Sequence, residues 1–198
     1  MPKHIIFIDL ETGGLSPQLH QITQIAAVAV EATTDLPVVG DAFECKITLV
    51  PGKYDQEALN IQHYDPVVWD AEGVGIQQAL DKLCKWAEPW GDERIGGKSG
   101  KAYKAADVGG YNIEFDRDFL SVTAKRNKIW LPLALWTGGV LDVLQLAKWE
   151  SLRTGESPKN FQLETVCKFR GIPDFMAHGA PNDTAASIRL ARSYLAGF

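Results

Sequence analysis

The sequence predicts an α/β fold in which a mixed five-stranded sheet, three antiparallel strands plus parallel strands, is flanked by helices. Three observations carry this. Three strand-like segments open the chain before any helical period appears. From residue 107 onward, strand-like and helical segments alternate. The first strand is a nearly continuous apolar run, as expected of a strand covered on both faces.

That first strand is Lys3 to Leu10 (KHIIFIDL), and the Gly-, Ser- and Pro-rich stretch Thr12 to Pro17 must turn. Gln24 to Glu31 and Ala42 to Val50 read as the second and third strands, with a turn near Pro37–Gly40, which gives an antiparallel meander. Gln56 to Tyr64 reads as a short helix. Ala71 to Trp90 reads as one long helix, apolar at Val74, Ile76, Ala79, Leu80, Leu83 and Ala87. Residues 91–104 (GDERIGGKSGKAYK) combine glycines and basic residues without an apolar period and read as a flexible loop. Asp107 to Tyr111 is a fourth strand. Glu114 to Lys128 is a helix with Phe115, Phe119, Val122 and Ala124 toward the core. Leu133 to Asp142 is a fifth strand, weakened by Gly138 and Gly139. Helices at Leu144–Glu150, Leu163–Arg170 and Asn182–Ala196 complete a single domain, residues 1–198, without internal repeats.

With 198 residues, 45% hydrophobic and 23% charged, the composition is that of an ordinary globular chain. Cys45, Cys84 and Cys167 are too few and too widely spaced for a disulfide framework or a zinc site. An apolar strand directly after Met1–Lys3 fits no signal peptide, and no apolar run approaches the ~20 residues of a membrane span. The expectation is a cytoplasmic protein with no membrane partner. A net charge of −5 argues against coating duplex DNA through a basic surface, but not against gripping a few nucleotides at one end.

Three clusters bear chemistry. Asp9 and Glu11 lie two apart at the end of the first strand, so their side chains point the same way. By themselves they read as a solvated strand end or as a cation site. Asp116 falls in the first turn of a helix that Asn112 can cap, where acids also serve the helix dipole. His178 precedes a helix that Pro181 can open, with Asp183 in its first turn. It reads as a surface histidine or as a base near a bound water. Carboxylates gathered at one sheet edge repel by several kcal/mol per close pair at an effective dielectric of ~20, so they assemble readily only around cations. All-oxygen donors select hard ions, Mg2+ or Mn2+, and two such ions are the standard device for displacement at phosphorus.

Together the clusters resemble the DnaQ-like (DEDDh) 3′→5′ exonuclease superfamily, of ribonuclease H-like fold. Phe7 to Leu15 (FIDLETGGL) is similar to its first motif and Asn112 to Asp116 (NIEFD) to its second. His178 followed five residues later by Asp183 is similar to the third motif, in its histidine form. The resemblance implies a two-metal-ion exonuclease that releases nucleoside 5′-monophosphates. Asp9 is shared between two Mg2+ or Mn2+ ions, Glu11 and Asp183 hold one, Asp116 supports the other, and His178 is the general base. It also implies substrate contacts at Thr12, Gly13, Leu15, His63, Asn112 and Phe115, with Leu15 wedged against the last base, and a modest contact at Tyr64. The segment from Leu141 to Ala147 is similar to the family's chain after its penultimate strand, where Asp142 reads as a helix cap. The partner implied is nucleic acid with a single-stranded 3′ end. DNA is the leading substrate, RNA the alternative, and a nucleic-acid- or partner-binding module without activity the third reading. A polymerase or a homodimer partner is compatible with all three. Six tryptophans, Trp69, Trp86, Trp90, Trp130, Trp136 and Trp149, read mostly as core. Lys98, Lys101 and Lys104 read as a solvated loop or as guides for phosphate.

Overall fold

Strand β1 (His4–Thr12) is the spine of the sheet in the computed structural model, which describes residues 2–62, 64–96, 100–135, 140–173 and 177–196. It pairs antiparallel with β2 (Ile22–Glu31), from His4↔Glu31 to Glu11↔Gln24, and β2 pairs antiparallel with β3 (Phe43–Lys46). Then come helices α1 (Gln56–Ile61), α2 (Pro66–Glu72) and α3 (Ile76–Ala87) and a 3-10 turn at Glu88–Trp90. Strands β4 (Asp92–Gly96) and β5 (Lys101–Ala105) form a separate antiparallel pair. Strand β6 (Asp107–Gly110) returns to lie parallel to β1, and helix α4 (Ile113–Asn127) follows. Strand β7 (Val140–Asp142) joins parallel to β6, and the chain ends with α5 (Val143–Thr154), α6 (Leu163–Phe169) and α7 (Ala180–Leu195). The order β3-β2-β1-β6-β7 is the mixed five-stranded sheet that the sequence predicts.

The central place of β1 explains its unbroken apolar run. Ile6, Ile8 and Leu10 are buried on one face against Leu80 and Leu83 of α3 and Phe119 and Leu120 of α4. Phe7 is buried on the other against Val143, Val166, Ile188 and Leu190 of α5, α6 and α7. Fully burying such side chains stabilises by ~1.5–3 kcal/mol each, and burial on both faces fixes the register.

Four expectations are corrected. The helix expected over Ala71–Trp90 is broken between α2 and α3. At Gly73 a Cβ would lie 2.4 Å from the Trp69 carbonyl oxygen. Val74 leaves the helix to bridge the β3 edge, donating to Lys46 O (3.1 Å) and accepting from Thr48 N–H (3.0 Å). The segment read as a loop at 91–104 contains the β4–β5 hairpin. It has no buried face to impose a period: Tyr103 packs edge-on against exposed Trp130 at 5.6 Å, and Arg94 pairs with Asp107. Lys98 lies outside the described residues. The fifth strand is shorter than Leu133–Asp142. Leu133 makes only an isolated bridge to Ala106, and residues 136–139 lie outside the described ones. Of the tryptophans, Trp69 is buried and Trp86 and Trp90 partly so, but Trp130 (58% exposed) and Trp149 (47%) are not core; Trp136 lies outside the described residues. No described helix is long and apolar enough to cross a membrane.

Candidate active site

Because Asp9 and Glu11 alternate with Ile8 and Leu10, they share the face on which α7 packs. There the first turn of α7 delivers Asp183. Carboxylate oxygens of Asp9, Glu11 and Asp183 all lie within 4.8 Å of one another. Helix α4 brings the fourth acid. Parallel pairing of β1 with β6 stops at Phe7↔Gly109, and beyond that point Asp116 Oδ1 accepts the backbone N–H of Leu10 at 2.9 Å. Asp116 is therefore a buried carboxylate, 4% exposed, tied to the same strand end.

The electrostatics record the crowding. Burial, and then the nearby charges of Asp116, Asp183 and Glu11, hold the Asp9 carboxyl well above the usual carboxylate range. Glu11 is pushed up to about 7 by burial and by Asp183. Asp183 rises to about 6 through burial, moderated by the His178 N–H and the His178 side chain. Burial raises Asp116 as well, against the pull of the Leu10 N–H. Asp183 Oδ1 is buried and has no hydrogen-bond partner among the described residues. A cluster of carboxylates that repel one another, with an orphaned oxygen among them, fits a hard divalent cation.

His178 is exposed in the approach to α7, in the left-handed region (φ 64°), and its N–H donates to Asp183 Oδ2 at 3.2 Å. It stands between two cavities. One, of about 340 Å³, is lined by Gln24, Glu44, Gln62, Trp69 and the 177–182 segment. The other, of about 260 Å³, is lined by Gln162, Leu163, Glu164 and Asp183. Thr12 and Gly13 turn the chain away from β1. Gly13 N–H donates to Gln21 O (2.8 Å), Gly13 O accepts from Asp55 N–H (2.7 Å), and a Cβ on Gly13 would lie 2.6 Å from Lys53 O. Leu15, at 86% exposure, stands free beyond this turn. Phe115 is partly buried with its ring 4.9 Å from that of Phe119, Tyr64 is partly buried with its ring 5.2 Å from that of Trp69, and His63 lies outside the described residues.

Asn112 departs from its expected role. It occupies the cap position of α4 in the left-handed conformation (φ 57°), but its side chain makes no capping bond. Asp142 holds this corner instead: its Oδ1 accepts the N–H of Asn112 (3.1 Å) and that of Leu144 (2.9 Å), capping α5 as expected. Lys101 and Lys104 sit on the hairpin beside the opposite end of β1, where Lys3 N–H donates to Asp92. Six residues of strand, ~20 Å, separate Lys3 from Asp9. Sequence reading also missed Gln62 and Thr23, buried polar side chains beneath the Thr12 turn. A single Gln after a short helix and a single Thr within a strand give no local signal.

In architecture the chain matches E. coli exonuclease I. A complex with a dT13 oligonucleotide superposes with a TM-score of 0.73 and 22% identity over 96% of this chain and 40% of that one. A zinc-bound complex with single-stranded DNA gives a TM-score of 0.73 and 22% identity over 97% and 40%. The chain thus spans about 40% of the length of these nucleases. At this identity the likeness is one of fold: the same mixed sheet with helices packed on it. No family model and no curated protein matches the sequence.

Proposed function

We propose that the chain is a divalent-metal-dependent 3′→5′ exonuclease acting on single-stranded DNA, with residues 1–198 as its nuclease unit. One observation carries the reading: Asp9, Glu11 and Asp183 present oxygens within 4.8 Å of one another, beside a buried Asp116. The likeness in fold to an exonuclease bound to DNA oligonucleotides supports the choice of substrate.

Asp9, Glu11, Asp116 and Asp183 would hold two ions, Mg2+ or Mn2+. When bound, such ions acidify water and neutralise charge developing at phosphorus. The remaining work falls to the chain. His178, beside Asp183, takes the proton of the attacking water at an imidazole nitrogen. The Thr12–Gly13 turn, packed tightly on Lys53 and Tyr54, follows the strand acids directly and would border the terminal nucleotide. Leu15 and Phe115 offer apolar surface to the last bases, and Asn112 offers an exposed amide at the rim.

The test uses matched single-stranded DNA and RNA oligomers, 5′-labelled, with Mg2+, Mn2+ or EDTA. A metal-dependent ladder shortening from the 3′ end, absent in Asp9→Ala, is expected, with DNA degraded faster. Immediate release of a labelled mononucleotide would refute the polarity, and faster loss of RNA would reassign the substrate.

A further inference from the structure

The β1–β2 ladder slips where the acids sit. Glu11 pairs with Gln24, but Thr12 pairs with Ile22, which leaves Thr23 as an extra residue on β2. Such a bulge bends its strands and re-aims the neighbouring side chains. Here it is tied from three directions. Ile47 N–H donates to the Thr23 carbonyl at 2.8 Å, and the Trp69 indole N–H donates to the same oxygen at 3.2 Å. Gln62 closes the third side. Its Nε2 donates to the Thr12 carbonyl at 3.1 Å, while its Oε1 accepts the Thr23 hydroxyl. The Gln62 amide thus spans the two strands where their ladder is interrupted. It does so while 4% exposed, with its Nε2 also bonded to Ala58 O at 3.0 Å. Every polar atom of that side chain is spent on backbone or on Thr23, and the residue whose carbonyl it grips, Thr12, is the one after Glu11.

We propose that Gln62 is a positioning residue that locks the Thr23 bulge and so aims the Glu11 carboxylate into the acid cluster. The proposal rests on the metal-site reading above. Outer groups that orient a ligand are worth ~10–100-fold in metal affinity. Gln62→Met keeps the length of the side chain and removes all three of its polar bonds. Thr23→Val keeps the shape of Thr23 and removes the hydroxyl, and Thr23→Ser retains it. Manganese binding to the full chain is measured by the loss of the free-ion paramagnetic resonance signal, without substrate, next to thermal melting. Gln62→Met is expected to weaken Mn2+ binding at least ~10-fold, Thr23→Val to weaken it by a smaller factor, and Thr23→Ser to bind as wild type. A lower melting point with wild-type Mn2+ affinity in both Gln62→Met and Thr23→Val would make the amide merely structural and overturn the proposal. If Gln62→Met does not fold, Thr23→Val against Thr23→Ser decides. A wild-type chain that binds no Mn2+ would remove the metal-site reading itself, an outcome distinct from equal binding by wild type and variants.

Discussion

Raising the pH from 5 to 8 without metal should destabilise this protein, and the acid cluster sets the size of the effect. Glu11 titrates at about 7 instead of 4.5, and Asp183 at about 6 instead of 3.8. A carboxyl raised in the folded state keeps a proton that the unfolded chain has already lost. Stability therefore falls as pH climbs from the unfolded value through the folded one. From pH 5, Glu11 has about two pH units to its midpoint and Asp183 about one; three units at ~1.4 kcal/mol each give ~4 kcal/mol for independent sites. Both carboxyls are only partly buried, and solvent screening reduces the loss to ~2 kcal/mol. Asp9 and Asp116, raised in the same direction, add to it. For a chain of 198 residues, ~2 kcal/mol lowers Tm by ~4–8 °C. Thermal melting in EDTA at half-unit pH steps measures this, with Glu11→Gln as the variant that flattens the slope. Added Mg2+ needs ionised carboxylates, so its stabilisation should be small at pH 5 and large at pH 8. A metal-free Tm that holds level or rises from pH 5 to 8 would refute the crowding of these acids.

Three further outcomes test individual residues. His178→Ala should lower the cleavage rate ~10²–10⁴-fold and leave Mn2+ affinity unchanged; equal losses of both would make the histidine a ligand and not a base. Asp142→Ala should cost ~1–2 kcal/mol by chemical denaturation, since one oxygen caps α5 and also holds Asn112, while Asp142→Asn, which keeps an acceptor, should cost less than half of that. Gly13→Ala drives a methyl toward backbone atoms of Lys53 and Tyr54. It should destabilise by ~1–3 kcal/mol and raise KM for oligonucleotides more than it lowers kcat.

How much was legible from the residues alone depended on whether the cause was local. The apolar run of β1 announced a strand covered on both faces, and Phe7 and Ile8 do face opposite cores. Pro181 and Asp183 announced the opening of α7. The three motifs placed the acids in chain order, but spacing along the chain cannot bring Asp9 to Asp183. That takes the parallel return of β6 and the packing of α7 across β1. The helix break at Gly73 was hidden because Val74 and Ile76 continue the apolar pattern while their backbone serves β3 and the start of α3. The 91–104 hairpin was hidden because an exposed ribbon needs no apolar alternation; Ile95 on it is 79% exposed. The Thr23 bulge could not be read at all, since register is a relation between two strands and neither strand carries it by itself.

The architecture offers the acids some relief, and the magnitudes say how far it goes. Asp116 and Asp183 each occupy the first turn of a helix, α4 and α7, whose N-termini converge on the end of β1. A helix N-terminus favours a carboxylate by ~0.3–1 kcal/mol, or ~2 kcal/mol in the best partly buried geometry. The Leu10 N–H adds a charge-assisted hydrogen bond to Asp116, of ~1.5–3 kcal/mol. Neither reaches Glu11, which has no helix end and still titrates near neutrality, at about 7. Fixed dipoles thus serve the two acids that arrive on helices, and the strand acids keep their repulsion. Protons relieve it below about pH 6; above that, a cation between Asp9, Glu11 and Asp183 would relieve it without rebuilding the fold. A cation held for that reason is bound most tightly at the pH where the metal-free protein is least stable.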